Sequence, residues 1–108
     1  MSYAEKRRYP RLPVLVECQV EGASGRATMR LTDLSPKGCF VDTTMTFPPG
    51  TLVSLAATLG EADVKLKGRV VSMEQSGYGF GIEFTDLDDA TQQQLDAYIE
   101  KASSSQRP

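Results

Sequence analysis

Apolar and polar residues alternate with a period of two through much of residues 12–84. This alternation is typical of β-strands that have one buried and one solvated face. Glycine, proline and polar residues interrupt it near 22–25, 48–50, 60–61 and 75–77, which favours chain reversals there. The apolar positions of the six predicted strands are Val14, Val16, Cys18 and Val20; Met29 and Leu31; 39–41; Val53, Leu55, Ala57 and Leu59; Val64, Leu66, Gly68 and Val70; and Tyr78, Phe80, Ile82 and Phe84. Six short strands with regular turns predict a mainly β fold, either an antiparallel barrel or a sandwich, because both limit exposed sheet edges.

The pattern changes from strand-like to helical after residue 84. Four apolar residues recur there at helical spacing: Leu95, Tyr98, Ile99 and Ala102. The preceding Thr85-x-x-Asp88 sequence is typical of a helix start. Residues 85–102 are therefore predicted to form one amphipathic helix of about four turns, and 103–108 a disordered tail.

The composition favours a single soluble domain. The chain has 108 residues, of which 40% are hydrophobic and 24% charged, as in ordinary globular proteins. The first ten residues are basic but lack an apolar run, so a signal peptide is not expected. The longest apolar stretch, 52–59, is too short to cross a bilayer. We therefore expect a cytoplasmic protein without membrane insertion.

The side chains most often used in catalysis and metal binding are scarce. The chain has no histidine, and its two cysteines, Cys18 and Cys39, fall on different predicted strands. Without histidine there is no ready base to activate a thiol, and two scattered cysteines do not make a zinc site. We expect both thiols to be reduced core residues. No metal and no cofactor are predicted, and the chain is not expected to be an enzyme.

Charge is distributed unevenly along the chain. The overall formal charge is −2, with basic residues concentrated in 1–40 and acidic residues in 41–108. Non-specific nucleic-acid binding needs a broad basic surface, which an acidic balance disfavours. A compact basic N-terminus on an acidic body is better suited to a small anionic ligand.

Four cations lie within six residues of the N-terminal sequence KRRYPR, at positions 6–11. The proline disfavours a helix at the residue before it, so the segment is predicted to be extended. Arg7 and Arg11 are then about 13 Å apart along the backbone. Guanidinium groups bind phosphate and the O6/N7 edge of guanine in a bidentate manner, and they stack on bases. A solubilising basic arm would explain the same residues.

A second polar motif, DLSPKG, occupies residues 33–38. Its proline and glycine suit an ordinary β-turn, which is a sufficient structural explanation. The Asp33 carboxylate can also accept the N1–H and N2–H of a guanine, and Ser35 can donate or accept beside it. Gly38 allows close backbone approach to a ligand. Strict alternation from Leu31 would turn Asp33 inward, so we expect the strand to end or bulge there.

The two motifs occur in an order that resembles the paired signature of the PilZ domain family. Arg-x-x-x-Arg precedes the first predicted strand, and Asp-x-Ser-x-x-Gly follows about 22 residues later. The last strand, GYGFGIEF, and the terminal amphipathic helix are also similar to the family. The resemblance covers roughly residues 5–102.

The resemblance implies a stand-alone bacterial sensor that binds the second messenger cyclic di-GMP. Its fold would be a six-stranded antiparallel β-barrel with one C-terminal helix. Arg7 and Arg11 would grip phosphates and guanine edges, and Arg8 would stack on a base or add a phosphate contact. Lys6 is a further candidate, because its extra charge could help to hold a second, stacked nucleotide. One and two ligands per chain both stay open.

The resemblance gives the second motif the task of recognising the base. Asp33 and Ser35 would read a guanine edge, and Gly38 would open the floor of the site. In this arrangement residues 1–12 are a flexible basic arm that carries the arginines. Residues 13–102 form the barrel and helix, and residues 103–108 form the tail.

Three classes of function remain open. The first is a cyclic di-GMP effector that changes conformation and relays the signal to an unidentified downstream protein. The second is a PilZ-like adaptor that does not depend on the nucleotide, although such members usually lack the arginines. The third, a barrel that binds single-stranded nucleic acid, needs aromatic residues on an exposed strand face. The aromatic residues of the last strand share its apolar face, so no nucleic-acid partner is expected.

Overall fold

The computed structural model describes residues 12–23, 25–43, 47–71 and 79–105. The regular elements of this part of the chain are β1 (Leu12–Gly22), β2 (Gly25–Ser35), β3 (Gly38–Asp42), β4 (Leu52–Leu59), β5 (Ala62–Val71), β6 (Phe80–Phe84) and the helix α1 (Asp89–Ser105). All six predicted strands are present. Tyr78, predicted to open the last strand, lies outside the described residues.

The strands close into an antiparallel barrel in the order β1-β2-β3-β6-β5-β4, with β4 pairing back to β1. This confirms the barrel and excludes the sandwich, the other arrangement that the alternation allowed. Because the sheet closes on itself, each of the six described strands is paired on both sides over at least part of its length. The β1–β4 seam is short, pairing residues 18–21 with residues 54–57.

The barrel interior is filled by the apolar members of each alternating strand. The fully buried side chains are Leu31, Leu34, Leu55, Leu66, Leu95, Val20, Val41, Val70 and Cys18. Most of their polar neighbours in sequence are exposed, whereas Thr32, Asp33 and Ser35, at the end of β2, are half-buried. The period-two prediction is therefore confirmed for the strands, because successive side chains of a strand point to opposite faces.

The helix α1 closes the end of the barrel at which β2 turns into β3 and β4 turns into β5. Its Leu95 and Ile99 side chains are buried in the core. The Tyr98 ring lies against the β4–β5 turn, where a Cβ atom on Gly60 would be 3.7 Å from it. Gly60 has a φ of 67°, which suits the first position of a two-residue hairpin loop. Phe47 and Phe80 make an edge-to-face contact elsewhere in the core, with ring centroids 5.8 Å apart.

The predicted helix start at Thr85 is wrong. Asp86 has a φ of 55°, a left-handed conformation that a right-handed helix cannot include. The helix begins at Asp89 instead, and the Asp88 carboxylate accepts a 2.8 Å hydrogen bond from the Thr91 amide. This bond lowers the pKa of Asp88, because it favours the ionised form. Asp88 is therefore the N-cap.

The end of the helix also differs from the prediction. The helix runs through Ser105 rather than stopping at 102, so residues 103–105 are helical and not part of a disordered tail. Residues 106–108 lie outside the described part. No helix among the residues described is both long and apolar enough to span a membrane.

Candidate functional site

The three described residues of the second motif lie at one hairpin. Asp33 and Ser35 end β2, and Gly38 begins β3. The residues of the first motif, Arg7, Arg8 and Arg11, and the further candidate Lys6 lie outside the described residues.

A β-bulge on β2 determines where Asp33 points. Leu31 pairs with Val41 and Asp33 pairs with Phe40, so Thr32 is an extra residue on β2. The bulge moves the alternation by one position, and Leu31 and Leu34 are both fully buried with Asp33 between them, half-buried. The predicted bulge is confirmed, and the strand continues through it to Ser35. Asp33 is thus directed to the outer face of the barrel.

Ser35 organises the turn that follows Asp33. Its Oγ accepts hydrogen bonds from the amides of Lys37 and Gly38 and donates to the Gly38 carbonyl, each at 3.2 Å. A hydroxyl has one donor and two acceptor positions, so these three bonds use its full capacity. In this state the Ser35 side chain supports the turn, and a direct contact with a ligand requires the release of one of these bonds.

Gly38 is placed where two backbones approach closely. A Cβ atom at Gly38 would lie 2.5 Å from the Ile82 carbonyl oxygen on β6. The adjacent Lys37 carbonyl accepts a 2.9 Å hydrogen bond from the Phe84 amide. The absence of a side chain at Gly38 thus lets β3 and β6 pair, a structural requirement in addition to the β-turn preference that the sequence indicates.

The turn is also connected to the helix. Gln92, in the first turn of α1, donates from its side-chain amide to the Pro36 carbonyl at 3.1 Å. The same amide group donates to the Asp96 carboxylate at 3.0 Å. Residues 33–38 therefore contact a second element that is distant in sequence.

Phe40 is a neighbour of the hairpin that the two sequence motifs do not include. It lies outside the barrel between the inward-facing Cys39 and Val41, and it is half-buried. It pairs across the sheet with Asp33 on β2 and with Gly81 on β6. The signal was available in the run 39–41, because two inward residues separated by one position place the middle one outside.

One acidic residue beside the hairpin has a basic partner. Glu83 pairs with Gly38 across the β3–β6 ladder. Its carboxylate lies 3.5 Å from the guanidinium of Arg69, and both side chains are about half exposed. The Arg69 charge reduces the repulsion that Glu83 alone would exert on an anion at the hairpin.

The two cysteines are buried, and neither forms a disulfide. Burial, with a smaller contribution from Glu17, raises the pKa of the Cys18 thiol to about 11. Burial also raises the pKa of Cys39, reinforced by the Cys18 and Asp33 charges. Protonated, buried thiols are poor nucleophiles, in agreement with their prediction as core residues. Within the described segments, no group of three His, Cys, Asp or Glu side chains could hold a metal ion.

A surface groove of ≈ 610 Å³ lies on a different part of the molecule. It is lined by Glu17, Cys18, Gln19, Thr28, Ala56, Ala57, Thr58, Asp63, Val64, Lys65, Thr91 and Gln94. None of these belongs to the hairpin at 33–38. Its lining comes from β1, β2, β4, β5 and the helix, and it includes no described residue of either motif. The hairpin is therefore the better candidate site.

Comparison with known proteins agrees with the fold. The family model described as PilZ domain matches residues 5–101. Bacillus subtilis MotI/DgrA, an inhibitor of motility, aligns with a TM-score of 0.81 and 17% identity over 94% of this chain and 53% of its own. This chain thus spans about half the length of that protein.

Two isolated PilZ domains align over most of both chains. The Escherichia coli YcgR domain with c-di-GMP has a TM-score of 0.76 and 17% identity, covering 93% of each chain. The CeSA domain from a cellulose-synthesising bacterium has a TM-score of 0.69 and 20% identity, covering 87% of this chain and 98% of its own. No curated protein sequence matches the chain.

Proposed function

The chain belongs to the PilZ domain family, and from this membership we propose that it is a cyclic di-GMP-binding effector. PilZ domains are ligand-binding regulatory domains. The observation that carries the proposal is that both polar motifs of the signature are complete, and that the described one forms an ordered hairpin on the outer face of the barrel. The YcgR domain bound to c-di-GMP, which has the same fold, supports the choice of ligand.

Chain geometry supports a meeting of the two motifs at this hairpin. β1 starts at Leu12, which pairs with Leu34, immediately between Asp33 and Ser35. Arg11 is one peptide bond from Leu12, and Arg7 is five residues from it, within about 18 Å. A guanidinium side chain adds further reach. The arginines can therefore contact a ligand that also contacts the hairpin.

Charge and hydrogen-bonding capacity suit the two parts of the ligand. Cyclic di-GMP has two phosphates, and Arg7, Arg8 and Arg11 provide planar donors that bind phosphate in a bidentate manner. Asp33, turned outward by the bulge, offers two carboxylate oxygens to the adjacent N1–H and N2–H of a guanine. Ser35 and Gly38 hold the turn in the shape that presents Asp33.

Ligand-induced ordering of the arm is the proposed means of signalling. The arginines of residues 1–12 repel one another, and a ligand with two phosphates cancels that repulsion. The arm would then fold onto the hairpin, at a cost of about 1–2 kcal/mol per ordered residue. The arm and nucleotide together would form a new surface for a downstream protein, which reads the messenger by its preference for the bound state. A cytoplasmic location is part of the same proposal.

Isothermal titration calorimetry with cyclic di-GMP tests the binding site. We expect micromolar affinity or better for the wild-type chain. Arg7→Ala and Arg11→Ala should each weaken binding about tenfold to more than a hundredfold, because each removes charge-assisted bonds of about 1.5–3 kcal/mol. Arg26→Ala is the matched control, since Arg26 is exposed at the opposite end of β2. Undiminished binding by the Arg7→Ala/Arg11→Ala double variant would refute this site.

Base selectivity and arm ordering are tested separately. Cyclic di-AMP should bind far more weakly, because adenine lacks the two adjacent donors that Asp33 accepts; equal affinity would refute the role of Asp33. Hydrogen exchange at residues 3–11 should slow at saturating ligand, and unchanged exchange would exclude the arm as the switch. A wild-type chain that binds no cyclic di-GMP would favour the adaptor function instead.

A further inference from the structure

An aromatic side chain lies on the outer face of the barrel beside the proposed guanine-reading carboxylate. Phe40 faces outward from β3, while its neighbours Cys39 and Val41 are buried. Single apolar residues on a protein surface are common. The role of Phe40 therefore follows from its neighbours.

The Phe40 ring packs against Gly79, the residue immediately before β6. A Cβ atom placed on Gly79 would lie 2.9 Å from Cε1 of the ring. The cross-strand partner of Phe40 on β6 itself is Gly81. One part of the ring is therefore supported by glycine backbone, and the remainder is accessible, because the residue is only half-buried.

Phe40 and Asp33 are direct partners across the β2–β3 ladder. Because of the bulge both point outward, and Leu34 and Cys39, the next pair, both point inward. Directly opposed residues of an antiparallel pair have Cβ atoms about 4.5–5.5 Å apart. This separation lets a purine whose Watson–Crick edge bonds Asp33 place its ring face near Phe40.

We propose that Phe40 is the stacking platform for the guanine read by Asp33. The inference rests on the proposed function, and it adds an apolar recognition element to a site otherwise made of charged and polar groups. Aromatic side chains stabilise bound bases by stacking. Gly79 contributes by supporting one edge of the ring with backbone, and Gly81 by placing no side chain beside Phe40 on β6.

A tryptophan reporter tests the stacking directly. The chain contains no tryptophan, so Phe40→Trp places the sole indole at the proposed platform, where a stacked guanine quenches emission. We expect saturable quenching during titration with cyclic di-GMP. Leu52→Trp is the matched control, because Leu52 is 69% exposed on β4 and away from the hairpin; its emission should not change.

Affinity measurements show whether Phe40 acts by stacking on the base or only by packing against Gly79. Phe40→Leu keeps an apolar cover but removes the aromatic face, and we expect cyclic di-GMP affinity to fall about 5- to 150-fold. Phe40→Tyr should retain affinity within about threefold, since it keeps the ring. Thermal unfolding of each variant checks that the barrel is intact.

The outcomes distinguish this inference from the proposed function. Wild-type affinity in Phe40→Leu, or unquenched Phe40→Trp in a sample that calorimetry shows to be saturated, overturns the stacking role and leaves the site at Asp33 standing. A wild-type chain that does not bind cyclic di-GMP overturns both. Quenching together with the aromatic-specific affinity loss supports the platform.

Discussion

Replacing Gly38 by alanine should destabilise the barrel even without ligand. The added Cβ would lie 2.5 Å from the Ile82 carbonyl oxygen and 3.5 Å from the Glu83 Cα. The shortest ordinary approach of carbon to a carbonyl oxygen is about 3.3 Å. The backbones of β3 and β6 must therefore separate by about 0.8 Å, and backbone atoms held by a ladder cannot move as readily as a side-chain end.

The expected loss of stability follows from two opposing effects. Overpacking of this kind costs about 1–3 kcal/mol. The φ of Gly38 is not positive, so alanine is conformationally allowed, and its smaller unfolded-state entropy offsets about 0.4–1 kcal/mol. The free energy of unfolding should fall by about 1–2 kcal/mol, which lowers Tm by roughly 5–10 °C for a domain of this size.

Thermal and urea unfolding of the ligand-free protein measure this effect. Gly81→Ala is the control, because its added Cβ would meet only a side-chain end at short range, Val71 Cγ2 at 2.9 Å. Its stability should stay within about 1 kcal/mol of wild type. A Gly38→Ala protein as stable as Gly81→Ala would refute the argument, and a loss of ligand affinity in that stable protein would leave Gly38 with a ligand role alone.

Three further predictions concern the thiol, the helix cap and the helix–hairpin contact. Folding raises the pKa of Cys18 from 9.0 to about 11, so the folded state keeps the thiol protonated to a higher pH than the unfolded state does. The contribution of this protonated thiol to the free energy of unfolding is complete below pH 9 and is lost as the pH rises toward 11. Urea titrations across this pH range will measure the loss. Asp88→Ala should lower helicity and Tm, whereas Asp88→Asn and Thr85→Ala should not, as circular dichroism will test. An equal loss in Thr85→Ala would indicate that the helix starts at Thr85. Gln92→Ala should cost about 0.5–1.5 kcal/mol, because it removes the hydrogen bonds to Pro36 and Asp96. Gln93→Ala is the exposed control, and equal stability of the two variants would show that the Gln92 contacts contribute nothing.

The sequence by itself determined the elements and the inner faces of the strands. Alternation depends only on the opposite directions of successive side chains, so Val53, Leu55 and Leu59 could be assigned to the core from their spacing. The same local rule indicated a helix around Leu95 and Ile99. It also predicted that the strand would end or bulge at Asp33, because burying Leu31 and exposing Asp33 two positions later is inconsistent with a regular strand.

Only the tertiary structure decided which strands pair and what the described residues of the second motif contact. The insertion of β6 between β3 and β5 joins residues distant in sequence, and local periodicity contains no information about that pairing. The pairing places Gly38 against the Ile82 carbonyl and Phe40 beside Gly81 and Asp33. It also explains why a short motif has two tasks: Ser35 and Gly38 hold the hairpin and its ladder, and that framework presents Asp33 outward. The helix start was decided in the same way, because Asp86 turns the chain away from β6 before Asp88 can cap α1.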